Sequence, residues 1–195
     1  MDQQQIETIL AITQAMADEL TDYLMGDNLY RQLMVKTPSG VRQPKMTISA
    51  LLENMETLGW ERERLTSQQR AQLAAIAERI SIARGAFATQ WNALLRRELK
   101  TLLDSWRWYL EDAGHNPDAR EDYGRAAHTR TRIDLVQAEL AGDPLAADQR
   151  RDLGDLDARL RAMLHGGGYV GPRGGESRYP ASRAWWLYGQ PAGDS

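Results

Sequence analysis

Apolar residues recur along the middle of the chain at Leu73, Ile76, Ile80, Ala83 and Phe87, and then at Trp91, Leu95, Leu99, Leu102, Trp106 and Tyr109. Steps of three and four residues place such positions on one stripe of an α-helix, so the pattern predicts a single helix from Ser67 to about Asp112. Thr66 and Gln69 have the spacing of a capping box, in which hydroxyl and amide each satisfy a backbone N–H of the other residue. From Phe87 to Leu99 every step is four residues. The stripe therefore drifts around the cylinder, and the two halves of the helix face different neighbours. Such a helix would be roughly 69 Å long, against a radius of gyration of about 16 Å for a compact domain of this size. The molecule is then elongated or the helix bends, and Gly85 is the weak point.

The same periodicity places a first helix from about Asp2 to Met25, with Ile6, Ile9, Thr13, Met16 and Leu20 inward and Glu7, Asp18 and Asp22 outward. Thr47 caps a second, from Ile48 to about Arg64, whose last turn is weakened by Gly59 beside Trp60. Asn116-Pro117 and Asp143-Pro144 each combine a capping side chain with a first-turn proline. They open a helix with Tyr123, Ala126, Ile133, Val136 and Leu140 inward, and another with Leu145, Leu153, Leu156, Leu160 and Met163 inward.

Two stretches break the helical pattern. Residues 28–47 predict a β-hairpin turning at Thr37-Pro38-Ser39-Gly40, with Pro44 confining the return strand to an edge. A lone hairpin is marginal in water, so it must lie on the helices or on a partner. Residues 166–195 hold eight Gly and three Pro, which predicts an irregular segment, yet they include Tyr169, Tyr179, Trp185, Trp186 and Tyr188. So aromatic a tail should dock, on its own helices or on a neighbour. The fold class is therefore all-α: an elongated antiparallel bundle of about five helices around one long central helix, spanning residues 1–165, with a hairpin-like insertion and an aromatic, glycine-rich tail.

Composition changes this reading in two places. With one Phe against six Trp and seven Tyr, the large aromatics carry polar handles and belong at the margins of the core or at interfaces. The net charge of −3 makes no case for an anionic partner as a whole, but residues 1–35 carry −5 and the remainder +2. Arg31, Lys36, Arg42 and Lys45 lie in a run without an acid between Asp27 and Glu53. Twenty-one of the 24 basic residues are Arg, a bias that genome composition explains as well as ion pairing does. The absence of Cys excludes disulfides and thiolate chemistry. With no signal-peptide pattern and no apolar run long enough to span a bilayer, the expectation is a cytoplasmic protein without membrane association.

The sequence carries little recognisable chemistry. None of His115, His128 and His165 follows a Glu by three residues, as a di-iron bundle needs, and the glycine runs near 166–175 lack the Lys-Ser/Thr of a phosphate loop. No catalytic residue, metal site or cofactor is assigned. Arg96, Lys100 and Arg107 share one helix face, and Arg125 and Arg132 another, which makes them candidates for nucleic acid. Interleaved acids such as Glu98, Asp104 and Glu111 instead suit intrahelical pairs. Trp106 and Trp108 diverge by about 200° on a helix. Trp106 belongs to the stripe, and Trp108 should be covered by the Trp185-Trp186 tail or by another molecule. The expected function is a non-catalytic scaffold or assembly subunit, binding a protein partner or itself through Arg31, Lys36, Arg42, Lys45, Trp108, Trp185, Trp186 and Tyr188. An accessory nucleic-acid-binding subunit comes second and a small-molecule-binding bundle third.

Overall fold

Capping chemistry written into the sequence sets where several helices begin. In the computed structural model of the chain, which describes residues 1–192, Asp2 and Gln5 close a capping box on α1 (Gln3–Asp18). A turn at Glu19 separates it from α2 (Leu20–Met25), so the first expected helix comes in two pieces. The hairpin follows as β1 (Arg31–Gln32), β2 (Val35–Thr37), β3 (Gly40–Arg42) and β4 (Lys45–Met46). Thr47 accepts the Ala50 N–H to cap α3 (Ile48–Trp60), which tightens into a 3-10 turn at Arg62–Arg64. Thr66 and Gln69 form the expected box on α4 (Ser67–Ala86). Beyond it lie α5 (Ala88–His115), α6 (Pro117–Glu121) capped by Asn116, α7 (Tyr123–Glu139) and α8 (Ala147–Met163). The chain is mainly helical, and among the described residues no helix is long and apolar enough to cross a membrane.

The long helix expected from Ser67 to Asp112 is divided at Phe87, whose φ of −123° and ψ of 39° leave the helical region. Hydrogen bonding continues on both sides, from the Phe87 N–H to Ala83 O and from the Trp91 N–H to Phe87 O, each at 2.9 Å. Gly85 stays helical. The break falls where the apolar stripe changes phase. Ile76, Ile80 and Ala83 are buried before it, and Trp91, Leu95 and Leu99 after it.

By its contacts the chain divides into two units, Met1–Glu98 and Leu99–Ser195. In the first, α1 packs on α3 and α4 and buries Ile6, Leu10, Met16, Leu51, Leu58 and Ile76. Glu98 is also buried. Its carboxylate accepts from the Ser49 N–H at 3.1 Å and from the Ser49 hydroxyl, at the amino end of α3 where a negative charge suits the dipole. Glu98, expected to serve intrahelical pairs, thus also binds across to another helix.

The core of the second unit is built from Leu103, Trp106, Leu110, Tyr123, Ile133, Val136, Leu156 and Leu160. Leu145, expected inward, is exposed, because Pro144–Ala146 forms a 3-10 turn whose phase buries Ala146 instead. The tail is more regular than its composition suggests. β5 (Leu164–Tyr169) follows α8 directly and pairs antiparallel with β6 (Tyr188–Pro191). Gly167 and Gly189 meet across this ladder so closely that a Cβ on Gly167 would lie 3.1 Å from the Gly189 Cα. Gly189 itself has a φ of +123°, a conformation that side chains resist. The last part of the expected tail, residues 193–195, lies outside the described residues.

Candidate interaction surfaces

The hairpin is one continuous register interrupted at its waist. β1 pairs with β4, Arg31 opposite Met46, and β2 with β3, Val35 opposite Arg42 and Lys36 opposite Val41. Pro44 has no N–H to give the ladder, but its carbonyl accepts from the Leu33 N–H at 3.0 Å. At the tip, Thr37 Oγ1 donates to Gly40 O at 2.7 Å. Gly40 takes a φ of +102° that closes the turn.

Alternation decides what the hairpin shows. Leu33, Val35 and Met46 are buried, each contributing about 1.5–3 kcal/mol if fully covered. The contact is against α1, where Thr8 Oγ1 lies 3.1 Å from Ser39 Oγ. Tyr23 OH donates to Leu29 O at 2.6 Å and ties down the entry. Burial pushes that phenol well above its ordinary pKa, with the Glu98 carboxylate adding to the shift and Arg97 opposing it. It is a neutral donor. On the solvent side Met34 is 77% exposed, Val41 58% and Tyr30 56%.

Of the four hairpin cations, Arg31 pairs with Glu19 at 3.0 Å, across an open cleft of about 350 Å³ between α1 and the Arg31–Met34 segment. Lys45 sits 4.3 Å from the centroid of the Tyr30 ring, a cation–π contact. Arg42 donates to Ser39 Oγ at 3.2 Å. Among the described residues Lys36, Arg42 and Lys45 form no ion pair.

The tail aromatics are committed to their own unit. Trp186 is buried. Its Nε1 donates to Thr131 Oγ1 at 3.1 Å and its carbonyl accepts from Tyr123 OH. The Arg130 guanidinium lies 4.0 Å from the Trp186 ring while gripping Asp157 through two 2.8 Å hydrogen bonds. Trp185 meets Trp186 edge-on at 6.0 Å and stacks under Arg161 at 3.8 Å. Tyr188 OH donates to Tyr179 O at 2.8 Å. The expected cover of Trp108 by Trp185 and Trp186 is therefore absent: these rings are taken up by Arg161 and Arg130. Trp108 stands 74% exposed, while Trp106 is fully buried as the stripe requires. Beside Trp106 the stack continues to Tyr109 at 5.5 Å and from Tyr109 to Tyr123 at 6.1 Å. Burial, with Asp122 adding to it, pushes the Tyr109 phenol up to about 12.

The cations proposed for nucleic acid have acids beside them. Lys100 and Arg107 share Asp104 at 3.3 and 3.0 Å, Arg107 reaches Asp152 at 3.5 Å, and Arg125 reaches Asp122 at 3.5 Å. Arg96 and Arg132 are engaged with neighbours as well. His115, His128 and His165 are all exposed, and no group of three His, Asp or Glu among the described residues could hold a metal ion.

Glu98 and Arg130 are buried charged groups that the polarity of their side chains alone does not reveal. Glu98 lies three residues beyond Leu95, and Arg130 lies between Ala127 and Ile133 at helical spacing. Both occupy stripe positions, a signal hidden by the usual rule that charges face out. The chain matches no protein-family model, no curated protein and no solved structure.

Proposed function

We propose that this chain is a non-catalytic helical scaffold or assembly subunit, with the basic hairpin as its main protein-contact face. The observation that carries the reading is the exposure of Tyr30, Met34 and Val41 on a hairpin whose other face is pinned to α1. A rigid mount that presents apolar side chains loses little ordering entropy when a partner covers them. The helices would supply that mount, and the antiparallel bundle expected from their stripes is the simplest way for them to do so. Exposed Trp108 is a candidate second contact, whereas Trp185, Trp186 and Tyr188 serve better as internal fasteners. A nucleic-acid-binding role is the weaker reading, because Lys100, Arg107 and Arg125 each lie beside an aspartate.

The test is the size of the protein in a native lysate. The chain should elute in a complex larger than its own 22.0 kDa. The Met34→Asp/Val41→Asp double variant, altered only at exposed positions, should move to the free-chain position. Salt-sensitive retention on immobilised nucleic acid, with no change in size for the double variant, would favour the second reading instead.

A further inference from the structure

We propose that the β2–β3 hairpin takes up an acidic, extended segment of a partner protein as a third strand alongside β3, a statement that rests on the hairpin being the contact face. β2 and β3 form a sheet of only two strands, so each keeps an outer edge of backbone N–H and C=O groups that another strand can pair with. The β2 side is partly covered, with Val35 buried and Thr37 half-buried, whereas all of β3 is exposed. The open edge is β3.

Side-chain alternation along that edge sets the pattern of the incoming strand. Val41 and Arg42 are neighbours in sequence and point to opposite faces. A strand laid beside them is matched when it alternates an aliphatic residue, next to Val41, with an acid next to Arg42. Lys36 sits directly across from Val41 and shares its face, so it adds to the positive field of the hairpin without pairing with the acid beside Arg42.

Charge also decides between occupants. Lys36, Arg42 and Lys45 have no carboxylate partner among the described residues, and the sequence places no acid between Asp27 and Glu53. A second copy of the hairpin would set like charges opposite one another, which is destabilising. These are the residues that guard an edge against self-pairing, and they leave it open to a strand of the other sign. A nucleic acid would answer the cations but leave Met34 and Val41 without an apolar counterpart.

The probes are three labelled peptides added to the full chain and followed by fluorescence anisotropy. One has four Glu-Val repeats, one has four Lys-Val repeats, and the third is the Glu-Val peptide N-methylated at alternate amides. The Glu-Val peptide should bind, and more weakly as salt screens the charges. The Lys-Val peptide should not bind. N-methylation keeps every charge but removes the ladder donors, and should weaken binding by at least about tenfold. Arg42→Glu should weaken it similarly, while Arg125→Glu, in the other unit, should leave it unchanged.

Equal binding of the N-methylated peptide would overturn strand addition without relying on any variant's fold. Binding of the Lys-Val peptide, no binding of the Glu-Val peptide, or its ready displacement by a single-stranded oligonucleotide or by phosphatidylserine vesicles would overturn the acidic partner. If the peptides fail while Met34→Asp/Val41→Asp still releases the chain from its complex, the strand is wrong and the contact face stands. If both fail, both readings fall.

Discussion

Replacing Trp106 with Ala should destabilise the second unit by about 3–5 kcal/mol, a large share of the roughly 5–15 kcal/mol that holds a typical domain. Trp106 is fully buried and stacks on Tyr109. Its removal deletes a large apolar surface from the α5 stripe and leaves a hole that packed helices close only in part. Trp108, two residues away and largely in solvent, is the internal control. Trp108→Ala should stay within about 0.5 kcal/mol of the parent. Urea unfolding followed by circular dichroism measures both. Equal losses at the two positions would mean that the stripe, and with it the orientation of α5, is misassigned.

The second large effect should come from Asp157. Its carboxylate is the bidentate partner of buried Arg130, whose side chain is only 5% exposed. Asp157→Ala leaves that guanidinium desolvated and unanswered, at a cost of about 3–5 kcal/mol. It should also loosen the tail, because the same guanidinium lies over the Trp186 ring. Arg130→Met combined with Asp157→Leu removes both charges and should recover most of the loss, since a buried ion pair and an apolar pair of similar volume are often close in stability. A double-mutant cycle read by unfolding, with tryptophan fluorescence reporting the tail, separates the pair's coupling from simple packing. If the single and double variants are equally damaged, the pair is not what holds α7 to α8.

What the sequence made legible was local chemistry. Thr47 and Thr66 with Gln69 cap as expected, because a cap needs only side chains within one turn of the backbone they serve. Asn116 with Pro117 caps too, but the helix it opens stops at Glu121 and the one carrying Tyr123 starts separately. The hairpin tip at Thr37–Gly40 is of the same kind. The helical break was half legible. Gly85 has the low helical propensity, but the chain breaks at Phe87, where the stripe itself changes phase.

The tail was not legible, for a physical reason. Glycine-rich β5 owes its strand to β6, some 20 residues further along, and a close approach of Gly167 to Gly189 leaves no apolar period to read. The candidate surface followed the same division. Exposure of Met34 and Val41 follows from strand alternation, but the fate of Trp185 and Trp186 depended on Arg130 and Arg161, far away in sequence.

Photo-crosslinking in the native cells tests most directly whether the hairpin is a protein-contact face. Benzoylphenylalanine is placed in turn at Met34 and at Ile82, another exposed apolar residue of the same unit. The account predicts a discrete protein adduct from position 34, lost when Arg42→Glu is added, and none from position 82. Position 34 giving no adduct, or both positions giving the same diffuse products, would contradict it.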